Sequence, residues 1–395
     1  MSTPSNGRSR GKVIVSGILF WYPLAGVTYQ FLHYLIGLRA LGYDVYYIED
    51  SGRWLYDPAA RSITGDALPN VTRVAKTLDA HGFQGKWAFR GAYPGGSCYG
   101  MTETELFQLY RDADAFLNVT GAQDIREEHQ VIKRRVYVES DPFMMQVKLH
   151  NGDAKVRALL DAHEAWFTFG ENLGQPDCDV PLDRSWQATR QPVATELWSG
   201  SPRAQDTGAV YNTITTWHND GKSVEYRGEL YHWTKDREFE KFFALPNRRP
   251  QLQVELATDA GPNEKARIQS HGFGVSDGVG VSASAEDYRD YIAGARAEFT
   301  VARDQYVRPR TGWFSDRSAC YLAAGRPVIT QETGFSKFLP TGRGLFAFNT
   351  LDDVLAAVDA IEADYEGQRK AALEIAREYF AADKVLARLM ERVEA

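Results

Sequence analysis

The sequence predicts an α/β protein of two domains, each built on a parallel sheet with helices on both faces. Apolar runs of strand length alternate with segments of helical periodicity along nearly all of the 395 residues, which is typical of parallel sheets. A stretch rich in Pro, Ser, Thr and Trp divides this alternation into two series, as an interdomain linker would. The length leaves each series enough residues for its own hydrophobic core.

The first series is predicted to form the amino-terminal domain. An apolar strand at residues 12–20 is followed by a helix at 27–41, in which Phe31, Leu35 and Leu38 fall on one face. A second helix, at 102–112, opens with the capping-box pattern of Thr102 and Glu105. The other elements predicted for this series are strands at 44–49, 86–90, 115–119, 135–139 and 165–169, and a helix at 71–81.

The second series is predicted to form the carboxyl-terminal domain. Its predicted strands lie at 208–215, 251–256, 298–302, 327–330 and 344–348, and its helices at 236–244, 285–295, 319–324 and from 351 to 393. The predicted divisions of the chain are a disordered tail at 1–11, the first domain at 12–180, a linker at 181–206, the second domain at 207–370 and terminal helices at 371–395.

Composition and charge restrict the classes of partner. The formal net charge of −7 predicts no general affinity for nucleic acid, so any phosphate site has to be a local basic pocket. Cys98, Cys178 and Cys320 are scattered, without a C-x-x-C pair, which argues against a disulfide framework or a zinc cluster. The apolar run at 13–24 is too short to span a bilayer and contains Pro23, so we expect a cytoplasmic protein without integral membrane association.

The stretch from Gly312 to Phe348 carries the strongest functional signal. A polar turn from Ser315 to Ser318 precedes a short helix, and the free N–H groups at a helix start suit a phosphate. A buried strand follows and leads into a second polar turn, residues 331–334, at the strand end where open parallel sheets bind ligands. Because one helix and one strand separate the two turns, both can open on the same side of the sheet. The pattern suits an elongated ligand that contains a diphosphate.

The segment AAGRPVI at residues 323–329 resembles the donor half of glycosyltransferases of the GT-B architecture, of the bacterial family 1 type. The resemblance implies a GT-B-like α/β fold, with two Rossmann-like domains facing a central cleft and terminal helices that cross back onto the first domain. It also implies hexosyl transfer from a nucleoside diphosphate sugar, such as a UDP-sugar, to a small-molecule or glycan acceptor. No cofactor and no metal are expected, because no cluster of carboxylates or histidines has ligand spacing.

The second domain is expected to hold most of the donor. Thr215 and Thr216 end a predicted strand, Lys235 supplies a cation at a helix start, and Glu332 is a candidate acceptor for a ribose hydroxyl. Gly26 opens the first helix on the opposite side of the cleft. The predicted donor-binding residues are Gly26, Thr215, Thr216, Lys235, Ser315, Asp316, Arg317, Ser318, Glu332, Thr333, Gly334 and Phe335.

The first domain is expected to bind the acceptor and to supply a base. Asp141 follows the strand at 135–139 and is the first candidate to take a proton from an acceptor hydroxyl. The same Asp-Pro pattern also fits a helix N-cap followed by proline. Asp124 is the second candidate base. The predicted acceptor-binding residues are Trp21, Tyr22, Gly121, Gln123 and Phe143.

Two other functions are compatible with these patterns. A metal-independent sugar-nucleotide epimerase and a non-catalytic nucleotide-sugar-binding protein could share the architecture, since a fold does not determine a function. The expected partners are a nucleotide sugar and its acceptor, no nucleic acid, and a second copy of the chain in a homodimer. The G-x-G-x-x-A pattern that starts at Gly278 is not interpreted as a dinucleotide site, because no convincing strand precedes it.

Overall fold

The computed structural model describes residues 9–93, 95–199 and 208–395, and within them two large, mainly parallel sheets dominate. This confirms the prediction of an α/β protein with two sheet-based halves. The predicted tail at 1–11 falls mostly outside the described residues, and so does the part of the predicted linker from 200 to 206.

The first sheet has the strand order β10-β9-β8-β7-β1-β2-β5-β6, parallel except for β6. Its strands, with the separate hairpin β3–β4, are β1 (Lys12–Ser16), β2 (Asp44–Ser51), β3 (Leu55–Asp57), β4 (Ser62–Thr64), β5 (Trp87–Gly91), β6 (Cys98–Tyr99), β7 (Ala115–Val119), β8 (Arg135–Glu139), β9 (Ala165–Thr168) and β10 (Gln187–Ala188). The helices of this part are α1 (Ala25–Ala40), α2 (Leu68–Ala80), α3 (Glu103–Asp112), α4 (Met144–His150), α5 (Ala154–Asp161) and α6 (Glu196–Ser199).

The second sheet has the order β15-β14-β11-β16-β17-β18, and the recorded pairs are all parallel. Its strands, with the hairpin β12–β13, are β11 (Val210–Thr215), β12 (Val224–Tyr226), β13 (Glu229–Tyr231), β14 (Gln253–Thr258), β15 (Gly274–Asp277), β16 (Ala297–Thr300), β17 (Val328–Gln331) and β18 (Leu345–Phe348). The helices are α7 (Asp236–Glu240), α8 (Leu245–Arg248), α9 (Pro262–Ser270), α10 (Gly278–Val281), α11 (Ala285–Ala293), α12 (Asp304–Val307), α13 (Asp316–Ala323), α14 (Leu351–Ala363), α15 (Tyr365–Ile375) and α16 (Ala382–Glu394).

The central strands are apolar on both faces because helices cover both faces. In β1, Val13, Ile14 and Val15 are all buried, although successive side chains point to opposite sides of the sheet. Strand β7 is buried along its whole length for the same reason. The alternation of strands and helices thus positions the carboxyl ends of many parallel strands along one edge of each sheet.

Several sequence-based boundaries need correction. The strand predicted at 12–20 ends at Ser16, and β10 lies within the predicted linker but pairs with β9 of the first sheet. The reason for setting aside the pattern at Gly278 is wrong, because β15 precedes it and α10 follows directly. The capping box of Thr102 and Glu105 is confirmed at the start of α3.

The last helix packs against the first helix of the chain. In α1, a Cβ atom placed on Gly37 would lie 2.7 Å from Cβ of Ala382 and 2.6 Å from Cδ1 of Leu386 in α16. The absence of a side chain at Gly37 therefore lets the two helix backbones approach closely. Through this contact the carboxyl terminus of the chain joins the hydrophobic core of the first sheet.

A hairpin of the second half also contacts the first. Phe143, at the start of α4, packs against Tyr231 and Tyr226 of β12–β13, with ring centroids 4.5 and 6.0 Å apart. Nearby, the indole Nε1 of Trp313 donates a hydrogen bond of 2.9 Å to the carbonyl of Ser140. These contacts join the two halves of the chain beside the cleft.

We predict that Gly37→Ala lowers stability. Alanine favours a helix over glycine by about 1 kcal/mol, but the added methyl group would overlap α16, and overpacking costs about 1–3 kcal/mol. A net loss of up to about 2 kcal/mol is expected in chemical denaturation.

Gly65→Ala is the matched control for this prediction. No atom lies within 4 Å of a Cβ placed on Gly65, so this variant should be neutral or slightly stabilised. Equal or higher stability of Gly37→Ala would contradict the close packing of α1 and α16.

Candidate functional site

A cavity of about 670 Å³ lies between the carboxyl edges of the two sheets. The first sheet contributes loops that follow β1, β7 and β8, and the second contributes loops that follow β11 and β16 together with the start of α13. Open parallel sheets characteristically bind ligands at this edge. The volume falls within the range of about 300–1,000 Å³ that small-molecule sites occupy.

Many of the predicted site residues line this cavity. They come from distant parts of the chain and meet because each follows a strand or precedes a helix at the same edge. They are Trp21, Tyr22, Gly26, Gly121, Asp141, Thr215, Thr216, Lys235, Ser315, Asp316 and Arg317.

The second polar turn, which was predicted to bind the donor, does not line the cavity. The backbone N–H of Gly334 donates to the carboxylate of Glu332, and the hydroxyl of Thr333 donates to the carbonyl of Trp313 at 2.5 Å. Phe335 packs on Phe314 with ring centroids 5.3 Å apart. The turn therefore packs against the loop before α13 and does not contribute to the cavity wall. Ser318 is also fully buried, away from the cavity.

Three residues predicted for the acceptor side also lie outside the cavity lining. The amide of Gln123 exchanges two hydrogen bonds with the backbone of Asp50, at 3.1 and 2.7 Å. This turns the chain after Gly121 toward β2 and leaves Asp124 exposed, outside the cavity lining. Phe143 is fully buried in the contact with hairpin β12–β13.

Asp141 lines the cavity but does not cap a helix. Helix α4 begins at Met144, so Pro142 is not its first residue and the N-cap interpretation is wrong. The hydroxyl of Tyr306 donates to the Asp141 carboxylate at 2.5 Å, and Nζ of Lys222 lies 3.9 Å from it. Both partners belong to the second half of the chain, so Asp141 bridges the two sides of the cleft.

Basic side chains gather on the second-domain wall. Arg317 donates from Nε to Glu298 at 2.6 Å, and its terminal nitrogens bond to the carbonyl of Ile214 and the hydroxyl of Thr300. Three of its five N–H groups are thus held by the protein, so Arg317 is less free for a ligand than predicted. Arg303 lies over the ring of Trp233, 4.0 Å from its centroid.

Lys235 is the most unusual of these cations. It is 5% exposed, and among the described residues its Nζ makes no hydrogen bond and no ion pair. Burial is the main cause that holds the pKa of its ammonium group well below the ordinary value, and the nearby Arg317 and Arg303 act in the same direction. The carboxylates of Glu298 and Asp141 oppose this shift without forming an ion pair with Lys235. An anion in the cavity would stabilise the charged form of this side chain.

Carboxyl groups occupy other parts of the same cavity. Burial is the main cause that raises the pKa of Asp316 to about 7, with a further contribution from Asp141. Burial likewise raises the pKa of Glu139, at the end of β8, to about 8. Sequence analysis missed Glu139, because the last residue of an apolar strand gives no sign of the direction in which its side chain points.

Aromatic side chains form the first-domain side of the mouth. Tyr22 stacks on Tyr56 with ring centroids 4.5 Å apart, and Arg53 lies 4.4 Å from the ring centroid of Trp21. Tyr56 and Arg53 were also missed, because they lie in a stretch of low periodicity. All four line the cavity.

A buried glutamate holds this aromatic loop in place. The carboxylate of Glu49 accepts hydrogen bonds of 2.7 Å from the backbone N–H groups of Phe20 and Trp21. The hydroxyl of Tyr47 also donates to it, at 3.1 Å. Glu49 therefore positions the turn that carries Trp21 and Tyr22.

One group within the described residues could hold a metal ion: Asp50, Glu128 and His129. Its acidic centre already has cationic partners, because Asp50 lies 2.5 Å from a terminal nitrogen of Arg126 and 3.5 Å from Nε of Arg90. A metal ion there would face two guanidinium groups, which favours an ion-pair network. None of these residues lines the cavity.

No family model and no curated protein matches the chain, but solved structures do. An alpha-glucosyltransferase in complex with UDP-glucose and DNA containing an abasic site is similar with a TM-score of 0.57 at 9% identity, over 98% of this chain and 100% of the other. Anabaena Alr3699/HepE in complex with UDP and glucose has a TM-score of 0.53 at 11% identity, over 98% and 100%. A glycosyltransferase from Rickettsia africae has a TM-score of 0.53 at 10% identity, over 98% of each chain.

These neighbours correct one expectation about partners. The exclusion of nucleic acid is wrong, because solved structures with the same fold hold DNA. Net charge describes the average field around a protein and does not decide what one cleft can bind. Within the described part of the chain, no helix combines the length and the apolar character needed to cross a membrane.

The likeness extends over nearly the whole chain and includes both sheets and the cleft between them. It confirms the predicted fold class: the protein has the GT-B-like architecture of two Rossmann-like halves that face a central cleft.

Proposed function

We propose that the protein is a glycosyltransferase that takes a sugar from a nucleoside diphosphate sugar and transfers it to an acceptor hydroxyl or amine. The observation that carries the proposal is the unpaired Lys235 in a cavity that Arg303 and Arg317 also line. A buried cation that makes no ion pair is costly, and a diphosphate would supply Lys235 with a direct anionic partner. UDP-glucose is the donor of choice for testing, because neighbours of the same fold were solved with UDP or UDP-glucose.

The second-domain wall is the proposed donor side. Lys235 and Arg303 would contact the diphosphate, and the backbone N–H groups at the start of α13 point their partial positive charge toward the cavity. Asp316 stands at the same helix start, and its raised pKa limits the negative charge there near neutral pH. Preorganised hydrogen-bond donors and cations of this kind stabilise the charge that develops on a leaving group.

We further propose that the reaction needs no metal ion and no cofactor. The basic side chains of the second-domain wall would neutralise the diphosphate, the task that a divalent cation performs in many phosphate sites. The proposal therefore rests on the chemistry of the residues that line the cavity.

The first-domain wall is the proposed acceptor side. It combines the aromatic pair Tyr22 and Tyr56 with carboxyl groups at the end of β8. Aromatic faces contact sugars, nucleobases and other planar groups, so the wall is compatible with small-molecule, glycan and nucleic-acid acceptors.

Turnover of the donor tests the proposed function. Incubated with UDP-glucose, the protein should release UDP, slowly with water as the acceptor and faster with a suitable alcohol or amine. Conversion of UDP-glucose to an isomeric UDP-sugar, with no UDP released, would instead identify an epimerase. Binding without any turnover across a panel of acceptors would indicate a nucleotide-sugar-binding protein and would contradict the transferase proposal.

We predict that Lys235→Met weakens UDP binding while leaving the fold intact or more stable. A hydrogen bond to a charged group contributes about 1.5–3 kcal/mol, so the dissociation constant measured by calorimetry should rise roughly 10- to 150-fold. The melting temperature without ligand should not fall, because the variant removes a buried polar group that makes no hydrogen bond among the described residues.

Lys370→Met provides the matched control. Lys370 is exposed on α15 and does not line the cavity, so its loss should leave UDP affinity unchanged. Equal UDP affinity of the Lys235 variant and the unsubstituted protein would remove Lys235 from the site.

A further inference from the structure

Glu139 lies in the cavity wall and has one carboxyl oxygen without a hydrogen-bond partner among the described residues. The residue ends β8, is 2% exposed and lines the cavity wall. Its Oε2 accepts hydrogen bonds from the hydroxyl of Thr168 at 2.6 Å and from the amide of Gln146 at 2.7 Å. Among the residues that the structure describes, Oε1 has no partner. One oxygen therefore fixes the side chain, and the other is buried with its capacity to accept a hydrogen bond unused.

The neighbouring carboxylate is in a different situation. Asp141 already accepts a hydrogen bond of 2.5 Å from Tyr306 and lies 3.9 Å from Lys222. These contacts direct both of its carboxyl oxygens toward the second half of the chain. Asp141 is thus suited to hold the two halves of the chain together, and Glu139 is better placed to accept a proton.

The surroundings of Glu139 keep its carboxyl group basic. The partners that touch it from β9 and α4, Thr168 and Gln146, are neutral. The ionisable groups that share its cavity include Asp141, Asp316, Lys222, Lys235 and Arg303. Burial is the largest cause of its pKa of about 8, and the nearby Asp141 acts in the same direction.

We propose that Glu139 is the base that removes the acceptor's proton, an assignment that rests on the proposed transferase function. The acceptor oxygen forms a bond to the anomeric carbon as the bond from that carbon to the phosphate oxygen breaks. The electron pair of the broken bond leaves with the nucleoside diphosphate, and the acceptor proton passes to Oε1 of Glu139. Such a single displacement inverts the configuration of the anomeric carbon.

The test uses UDP-glucose hydrolysis, in which water takes the place of the unidentified acceptor. Glu139→Gln keeps an oxygen for the bonds from Thr168 and Gln146 but cannot accept a proton. Hydrolysis should fall on the order of 10²–10⁴-fold, with UDP affinity and melting temperature close to those of the unsubstituted protein. The rate of the unsubstituted protein should rise with pH up to about the pKa of Glu139, and the variant should lack this rise.

Two variants serve as comparisons. Glu171→Gln removes a half-buried carboxylate that pairs with Arg190 outside the cavity, and it should retain hydrolysis. Asp141→Asn keeps an oxygen for the Tyr306 hydroxyl and should lose less activity than Glu139→Gln. A larger loss in Asp141→Asn, with a nearly active Glu139→Gln, would overturn the assignment in favour of Asp141.

The stereochemistry of the product gives an independent readout. Because glucose is α-linked in UDP-glucose, inversion releases β-glucose first, which proton NMR distinguishes from α-glucose. Initial release of α-glucose would overturn the role of Glu139 while leaving the transferase proposal intact. If the unsubstituted protein neither binds UDP nor releases it from UDP-glucose, the proposed function itself is wrong, and the assignment of Glu139 is wrong with it.

Discussion

The ion pair between Arg317 and Glu298 holds together the part of the second domain on which the cavity depends. The guanidinium group comes from the first turn of α13, and Glu298 is fully buried in β16. Further bonds join Arg317 to the backbone of β11 and to Thr300. The helix start is thereby tied to two adjacent strands at their carboxyl ends. Removal of one partner from such a buried pair characteristically costs about 3–5 kcal/mol.

The cavity wall beside this ion pair is basic. Glu298 compensates the charge of Arg317, but Lys235 and Arg303 lie close by, and Lys235 has no partner among the described side chains. The protein retains a group that weakens its own stability, a common property of binding sites. On the opposite wall, burial raises the pKa of Glu139 to about 8. Asp316, at the start of α13, also has a raised pKa. The cleft thus contains basic side chains that could bind an anion and carboxyl groups that could accept protons.

The sequence was sufficient to predict the features that depend on hydrophobic periodicity and on local helix caps. Alternating strands and helices predicted both sheets, and the Thr102–Glu105 pattern predicted the start of α3. It was less informative about side-chain direction. Ser315, Asp316 and Lys235 were expected in the site and line the cavity, but Glu332 to Phe335 turn away because their polar groups bond to neighbouring backbone.

The residues that the sequence did not reveal share a physical reason. Glu49 and Glu139 lie in buried strands, where an acidic residue looks like an interruption of the core and its tertiary partners are unknown. Asp141 was expected to act as a base or to cap a helix, but its hydrogen-bond partner, Tyr306, lies 165 positions away in the chain. Contacts between such distant positions follow from tertiary packing, which local sequence patterns do not encode.

A crystal structure of the protein with bound UDP would show whether the cleft between the two sheets is a nucleoside diphosphate site. We expect the diphosphate to lie in this cavity, with oxygens within about 3 Å of Nζ of Lys235 and close to the backbone at the start of α13. UDP bound outside the cavity, or bound inside it with the diphosphate away from Lys235 and α13, would show that the proposed donor site is wrong.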